Sequence, residues 1–170
     1  MSIRAWLGLA PADTSPAPLR ELVEALDRLE PDRAKFLARF AYLLGRVAHA
    51  DRHVSPEETA AMERLVRELG AVETDAAVLV VSLAKQSNLM FGGHADYEVA
   101  RDFADAASYD EKLALARCLF AVASTDASIS MPEEAEIHRI MNVLKIQPGD
   151  LMTLRLEHRR YLPGLSDGPR

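Results

Sequence analysis

The sequence predicts an all-α fold, a single compact bundle of about seven to eight helices built from two pseudo-symmetric helical repeats. Alanine and leucine supply 50 of the 170 residues, whereas valine, isoleucine and threonine together supply 21. This balance favours helices, because alanine and leucine lose little conformational freedom on entering one. Apolar residues recur at helical spacing from Leu19 to Leu162, and one block of the pattern returns after 75 positions.

The first four predicted helices are separated by proline and glycine breaks. The apolar stripe of the first begins at Leu19 and stops before Pro31, and the second helix continues to about Asp51. The third ends at Gly70, a residue that commonly follows a helix. The fourth begins near Thr74 and is apolar around its whole circumference, which predicts a central position in the core.

The second helix is predicted to have one buried and one solvent-exposed side. Its buried side carries Phe36, Phe40, Leu43, Val47 and Ala50. Its solvent side carries Lys35, Arg39, Tyr42 and Arg46. The basic residues Lys35, Arg39 and Arg46 are candidate interaction residues, since a basic surface can steer a protein partner of opposite charge. An ordinary solvated helix face is the alternative interpretation of the same residues.

The second half of the chain repeats the alternation of helices and breaks after Gly92-Gly93. The predicted helices are a fifth from Tyr97 to Ala107, a sixth from Asp110 to about Asp126, a seventh from Ser130 and an eighth from Pro148 to Leu162. The predicted domain therefore covers residues 19–162. A loosely held leader of residues 1–18 precedes it, and a frayed tail of residues 163–170 follows.

The repeat places about residues 32–90 on about residues 107–162. Between Val47 and Gly70, 8 of 24 positions are identical to those 75 residues later, and several more exchange one apolar residue for another. Polar and apolar positions agree in the same frame, so we expect two similar helical hairpins that pack together through their apolar faces.

Each repeat contains the motif Asp-x-x-[Val/Ile]-Ser-x-x-Glu. Its Ser-x-x-Glu part is typical of a capping box, in which serine and glutamate bond each other's backbone amides at a helix start. A second interpretation is that the pseudo-symmetry brings the four motif carboxylates together around a divalent cation such as calcium, magnesium or manganese. The candidate metal ligands are Asp51, Glu58, Asp126 and Glu133.

Composition excludes several classes of function. A formal charge of −6 opposes broad binding to nucleic acid. The lone cysteine, Cys118, is expected to be a small core residue, and a single cysteine fits the reducing cytoplasm. No apolar run is long enough for a transmembrane segment, although Ile3, Trp6 and Leu7 could make weak peripheral contact with a membrane. Because no phosphate loop, nucleophile elbow or zinc-protease motif is present, we expect a protein that is not an enzyme.

The paired motifs resemble the TerB-like tellurite-resistance family, which is related to the N-terminal domain of DjlA-type co-chaperones. The resemblance covers roughly residues 19–162 and rests on the two motifs and on the helices around the second one. Those helices are the stretch Leu113 to Ala123 and the pattern Ile137-x-x-Ile140-x-x-x-Leu144. Family members typically carry Asp-Gly in the loop, where this chain has Asp51-Arg52 and Asp126-Ala127.

The resemblance implies an all-helical bundle, a role in tellurite or envelope-stress response, and association with divalent metal through the acidic loops. Two functions therefore stay open at this point. The first is a non-enzymatic module that docks a protein partner, and the second is a metal-binding or metal-sensing protein.

Overall fold

The computed structural model describes residues 17–48, 56–70, 72–85, 96–125 and 128–163, and these ranges contain eight α-helices and no strand. The helices are α1 (Ala17–Asp27), α2 (Pro31–Ala48), α3 (Pro56–Leu69), α4 (Thr74–Lys85), α5 (Asp96–Ala106), α6 (Tyr109–Ala123), α7 (Met131–Leu144) and α8 (Pro148–Glu157). A short 3₁₀ turn, Arg159–Tyr161, follows α8. The prediction of an all-α bundle is confirmed.

Helix α2 lies at the centre of the bundle and packs against α4, α5, α6 and α7. Its 18 residues start at Pro31, where the missing amide costs little because the first helical amides have no partner within the helix. Leu37, Phe40 and Leu44 are almost completely buried. Neighbours on several sides thus make α2 the element that positions the rest of the fold.

Two expectations about helix environment were wrong. The apolar sequence of α4 predicts a central position, yet Val78 is 46% exposed, so one side of α4 faces solvent. Tyr42, predicted on the solvent side of α2, is only 4% exposed. Periodicity identifies the more apolar side of a helix, but it does not reveal that α5 and α7 cover the polar side of α2 as well.

The helix boundaries follow the 75-residue repeat. Helices α3 (Pro56–Leu69) and α7 (Met131–Leu144) correspond residue for residue, and α2 and α6 end at equivalent alanines. The third and seventh helices pack reciprocally, because α3 contacts α6 and α7 contacts α2. The last helix of each repeat packs differently, since α4 packs extensively on α2 whereas α8 touches α6 only lightly. Superposition of the two halves stays a prediction.

The start of α7 is a capping box, as its sequence predicts. The Ser130 hydroxyl accepts a hydrogen bond from the backbone amide of Glu133 at 3.3 Å, and the Glu133 carboxylate accepts one from the amide of Ser130 at 2.7 Å. Ser108 and Glu111 form the same arrangement before α6. The loop before α3, with Asp51 and Ser55, lies outside the described residues.

Helix α7 ends at Leu144, and the next residue, Lys145, adopts a left-handed backbone with φ 56°. The amide of Ile146 bonds the Met141 carbonyl at 3.2 Å and the amide of Lys145 bonds the Asn142 carbonyl at 3.2 Å, a Schellman-type closure. Glycine usually occupies this position, because any other side chain costs about 1–2 kcal/mol in the left-handed region. The chain thus keeps a lysine where a glycine would be more stable.

Two glycine-to-alanine substitutions are expected to act in opposite directions. At Gly70 a Cβ atom would lie 2.4 Å from the Val66 carbonyl oxygen and 3.3 Å from the Phe40 ring, so Gly70→Ala should lower the free energy of unfolding by about 1–3 kcal/mol. At Gly149, in the first turn of α8, nothing lies within 4 Å. Gly149→Ala should raise stability by about 0.5–1 kcal/mol. Urea unfolding of both variants checks the pair, and equal effects would contradict the packing around Gly70.

No helix in the described ranges is long and apolar enough to cross a membrane. The predicted leader residues Ile3, Trp6 and Leu7 lie outside the described part of the chain, as does most of the predicted tail.

Candidate functional site

The basic residues predicted for interaction lie along α2 and form ion pairs. Lys35 lies 3.6 Å from Asp32, one turn earlier on the same helix, and this pair is exposed. Arg39 is deeper, with 13% of its side chain exposed, and its Nη2 lies 3.6 Å from Asp102 on α5. These contacts give both residues a role within the fold. Whether they also contact a partner stays a prediction.

Arg46, the third predicted interaction residue, belongs to a network around Glu136 on α7. Its Nε donates to Glu136 Oε1 at 3.0 Å, and Arg139, one turn beyond Glu136, donates to Oε2. Glu136 is only 9% exposed. Burying a carboxylate is costly unless it is paired and hydrogen-bonded, and the two guanidinium groups meet that requirement. The network fixes α7 against α2.

Of the four predicted metal ligands, only Glu133 has a described side chain. Asp51 and Asp126 and the side chain of Glu58 lie outside the described residues. Glu133 is 9% exposed, and its carboxylate already accepts the Ser130 amide in the capping box. Within the ranges that the structure describes, no group of three or more histidine, cysteine, aspartate and glutamate side chains could hold a metal ion. The metal site therefore stays a prediction.

Cys118 lies in the core on α6, as predicted. It is fully buried, and its Sγ lies 3.8 Å from the Leu65 carbonyl oxygen of α3. Burial raises the pKa of the thiol from 9.0 to about 12, and the positive charge of Arg117 offsets a smaller part of that rise. A thiol in this environment is protonated at neutral pH and a poor nucleophile.

The structure also places a groove between α5 and α7 that the sequence did not predict. Its volume is about 630 Å³, and it adjoins a smaller pocket of about 110 Å³ above α2. The groove is lined by Tyr97, Arg101, Ala104, Asp105, Lys112, Asn142, Val143 and Lys145. The pocket is lined by Leu43, Arg46, Tyr97, Ala100, Glu136, Arg139, Ile140 and Val143. Tyr97 and Val143 line both, so the two form one continuous surface, which we call the α5–α7 groove.

The chemistry of the α5–α7 groove changes along its length. The pocket end has an apolar lining from Leu43, Ala100 and Ile140, with the Glu136 network beside it. The wider end carries the positive groups of α5, α6 and the α7 terminus. Tyr97 stands where the two ends meet and is 64% exposed. An apolar pocket beside an exposed aromatic ring and charged groups can hold a segment of another molecule.

Sequence reasoning missed this groove because its residues come from four separate helices and the end of one of them. No single helical stripe contains Arg46, Tyr97, Lys112 and Lys145 together. One local signal could have identified it. Tyr97 lies in the first turn of α5, and tyrosine is one of the residue types enriched in binding surfaces.

The described residues define the molecule as an all-helical domain with a groove between α5 and α7. A family model described as tellurite resistance protein TerB matches residues 36–156, from α2 to α8, which is more than two thirds of the chain. The chain therefore belongs to the TerB family. No curated protein sequence and no solved structure matches it.

Proposed function

We propose that this TerB-family chain is a non-enzymatic, cytoplasmic interaction module that docks a segment of a protein partner in the α5–α7 groove. Its setting would be the tellurite or envelope-stress response that the family suggests. The observation that carries the proposal is the exposed ring of Tyr97 beside the apolar pocket. Binding that covers an exposed ring next to apolar side chains is favourable, because burial removes apolar surface from water.

The composition of the groove supports a protein partner. Tyrosine and arginine are enriched among residues that dominate binding energy, and Tyr97, Arg101 and Arg139 all line this surface. The groove is built on helices whose positions are fixed, since α5 and α7 pack on each other and both pack on α2. A rigid surface loses little conformational freedom on binding, which favours affinity.

Site-specific photo-crosslinking in living cells tests the proposal. The photoreactive amino acid p-benzoylphenylalanine replaces Tyr97 in one variant and Val78 in a matched control. Val78 is also exposed, at 46%, but it lies on α4 and does not line the groove. We expect position 97 to give a covalent adduct with a second protein that position 78 does not give.

Absence of any adduct at position 97, or the same adducts at both positions, would contradict the proposal. The crosslinking must be performed on variants whose helical content, measured by circular dichroism, matches that of the unmodified chain. A crosslink to a small molecule in place of a protein would also count against it, because it would indicate a ligand-binding pocket.

A further inference from the structure

We infer that the partner segment is acidic and carries one large apolar side chain. In this arrangement the apolar side chain enters the pocket above α2, and the acidic residues face the wider end of the α5–α7 groove. The inference deepens the proposed function and rests on it.

The charge of the groove is opposite to that of the chain. Five basic side chains and two acidic ones line the groove and its pocket, whereas the whole chain has a formal charge of −6. Arg46 and Arg139 are bonded to Glu136, which leaves Arg101, Lys112 and Lys145 against Asp105 at the wider end. A segment with acidic side chains matches this surface, and a basic segment would be repelled by it.

Two of these cations are available to a ligand. Within the described part of the chain, neither Lys112 nor Lys145 forms an ion pair. Lys112 extends from α6 and Lys145 from the end of α7, so they reach the wider end from different elements. Arg101 is paired with Asp102 at 3.2 Å and is half exposed. An incoming carboxylate therefore meets two ammonium groups that have no competing partner there.

The backbone of Lys145 is a second observation that favours a role for this charge. Lys145 has a positive φ of 56° and is the one non-glycine residue in the described ranges with that conformation. A glycine would close the same Schellman-type turn without steric strain, because it has no Cβ atom to clash in the left-handed region. Strain retained at one residue points to a function of its side chain.

The pocket determines the apolar part of the segment. Its volume of about 110 Å³ suits a single side chain of the size of leucine or phenylalanine, and its lining from Leu43, Ala100, Ile140 and Val143 offers no free polar group for a hydrophilic one. Tyr97 lies at the boundary, so its ring would cover the bound side chain on the solvent side. The groove therefore favours a partner segment with one large apolar side chain beside several acidic residues.

Selection from a random library of twelve-residue peptides, displayed on phage against the full chain, tests the inference. We expect the recovered sequences to be enriched in glutamate and aspartate around one leucine, phenylalanine or tryptophan. The best peptide, made with a fluorescent label, should bind with an affinity that falls as sodium chloride is raised. Its charge-reversed version, with lysine at each acidic position, should bind at least about tenfold more weakly.

Variants of the chain locate the binding to the groove. The double variant Lys112→Glu/Lys145→Glu should bind the selected peptide at least about tenfold more weakly. The control Arg67→Glu, on α3 and away from the groove, should change the affinity by less than about twofold. Lys145→Gly should separate binding from stability. This variant should bind the peptide more weakly, because a positive charge is lost from the groove. Its melting temperature should rise by about 2–4 °C, because the turn loses its strain.

The possible outcomes distinguish this inference from the proposed function. Neutral or basic peptides whose binding is lost on groove substitution would overturn the acidic partner and leave protein docking intact. Recovery of no peptide, or of peptides that ignore the groove variants, would overturn both. Equal competition by a twelve-nucleotide oligothymidine would show that the groove recognises charge alone, and self-association abolished by Lys112→Glu/Lys145→Glu would assign the groove to a second copy of the chain. Either result would overturn the inference.

Discussion

Phe40→Ala is expected to lower the free energy of unfolding by about 3–5 kcal/mol, because it removes a large ring from the centre of the bundle. Phe40 is fully buried on α2. Its ring centroid lies 6.1 Å from that of Phe36 and 6.2 Å from that of Phe103 on α5, the latter nearly edge-on. The same ring lies close to Gly70, at the end of α3. Its removal leaves a cavity where three helices meet.

Urea unfolding followed by circular dichroism measures this effect. Leu156→Ala is the matched control, since Leu156 is 58% exposed on α8 and its loss should change stability by less than about 0.5 kcal/mol. Phe40→Leu keeps most of the apolar volume, so its loss of stability should lie between those of Phe40→Ala and Leu156→Ala. This variant can still be measured if Phe40→Ala does not fold. A loss below about 1 kcal/mol for Phe40→Ala would contradict the packing of the Phe40 ring against Phe36 and Phe103.

The stability of the protein is expected to fall steeply at alkaline pH because of Cys118. Burial raises the pKa of this thiol to about 12 in the folded protein, against 9.0 for an exposed cysteine. The unfolded chain therefore loses the thiol proton first as the pH rises. The stabilising contribution is complete below pH 9 and is lost between about pH 9 and 12, at about 1.4 kcal/mol for each pH unit. By pH 10.5 this loss reaches about 2 kcal/mol.

Comparison with Cys118→Ala isolates the contribution of the thiol. Other groups also titrate in this range, and the pKa of Tyr109 is raised, first by burial and then by its hydrogen bond to Asp150, so it acts in the same direction. Tyr109 is present in both proteins and cancels in the comparison. The variant should be less stable at pH 8 and lose about 2 kcal/mol less between pH 8 and pH 10.5. Parallel pH curves would show that the thiol is not buried.

The helix content and the helix starts could be predicted from the sequence because they depend on neighbours in the chain. Ser130 and Glu133 are three residues apart, and their capping box forms as the spacing requires. Gly70 and Pro31 mark helix limits for equally local reasons. The choice of Cys118 as a core residue also succeeded, since its apolar neighbours on α6 repeat at helical spacing.

The candidate site could not be predicted because it depends on how distant helices lie against one another. Arg39 and Arg46 are polar residues on a helix, and nothing near them in the sequence indicates that Asp102 and Glu136 come to meet them. Tyr42 is buried for the same reason. The left-handed turn at Lys145 is also absent from the sequence pattern, because a lysine is not the residue that normally marks such a turn.

The reciprocal contacts of α3 with α6 and of α7 with α2 bear on how such a molecule could arise. Each half covers apolar side chains of the other, so a polypeptide with only one half would leave those side chains in water. If the two halves superpose, a homodimer would cover those side chains, with two identical chains in the places of the present halves. Fusion of duplicated genes would then allow the surface of one half to change independently of the other. Glu136 and Lys145 are such differences, because the equivalent positions of the first half hold Ala61 and Gly70.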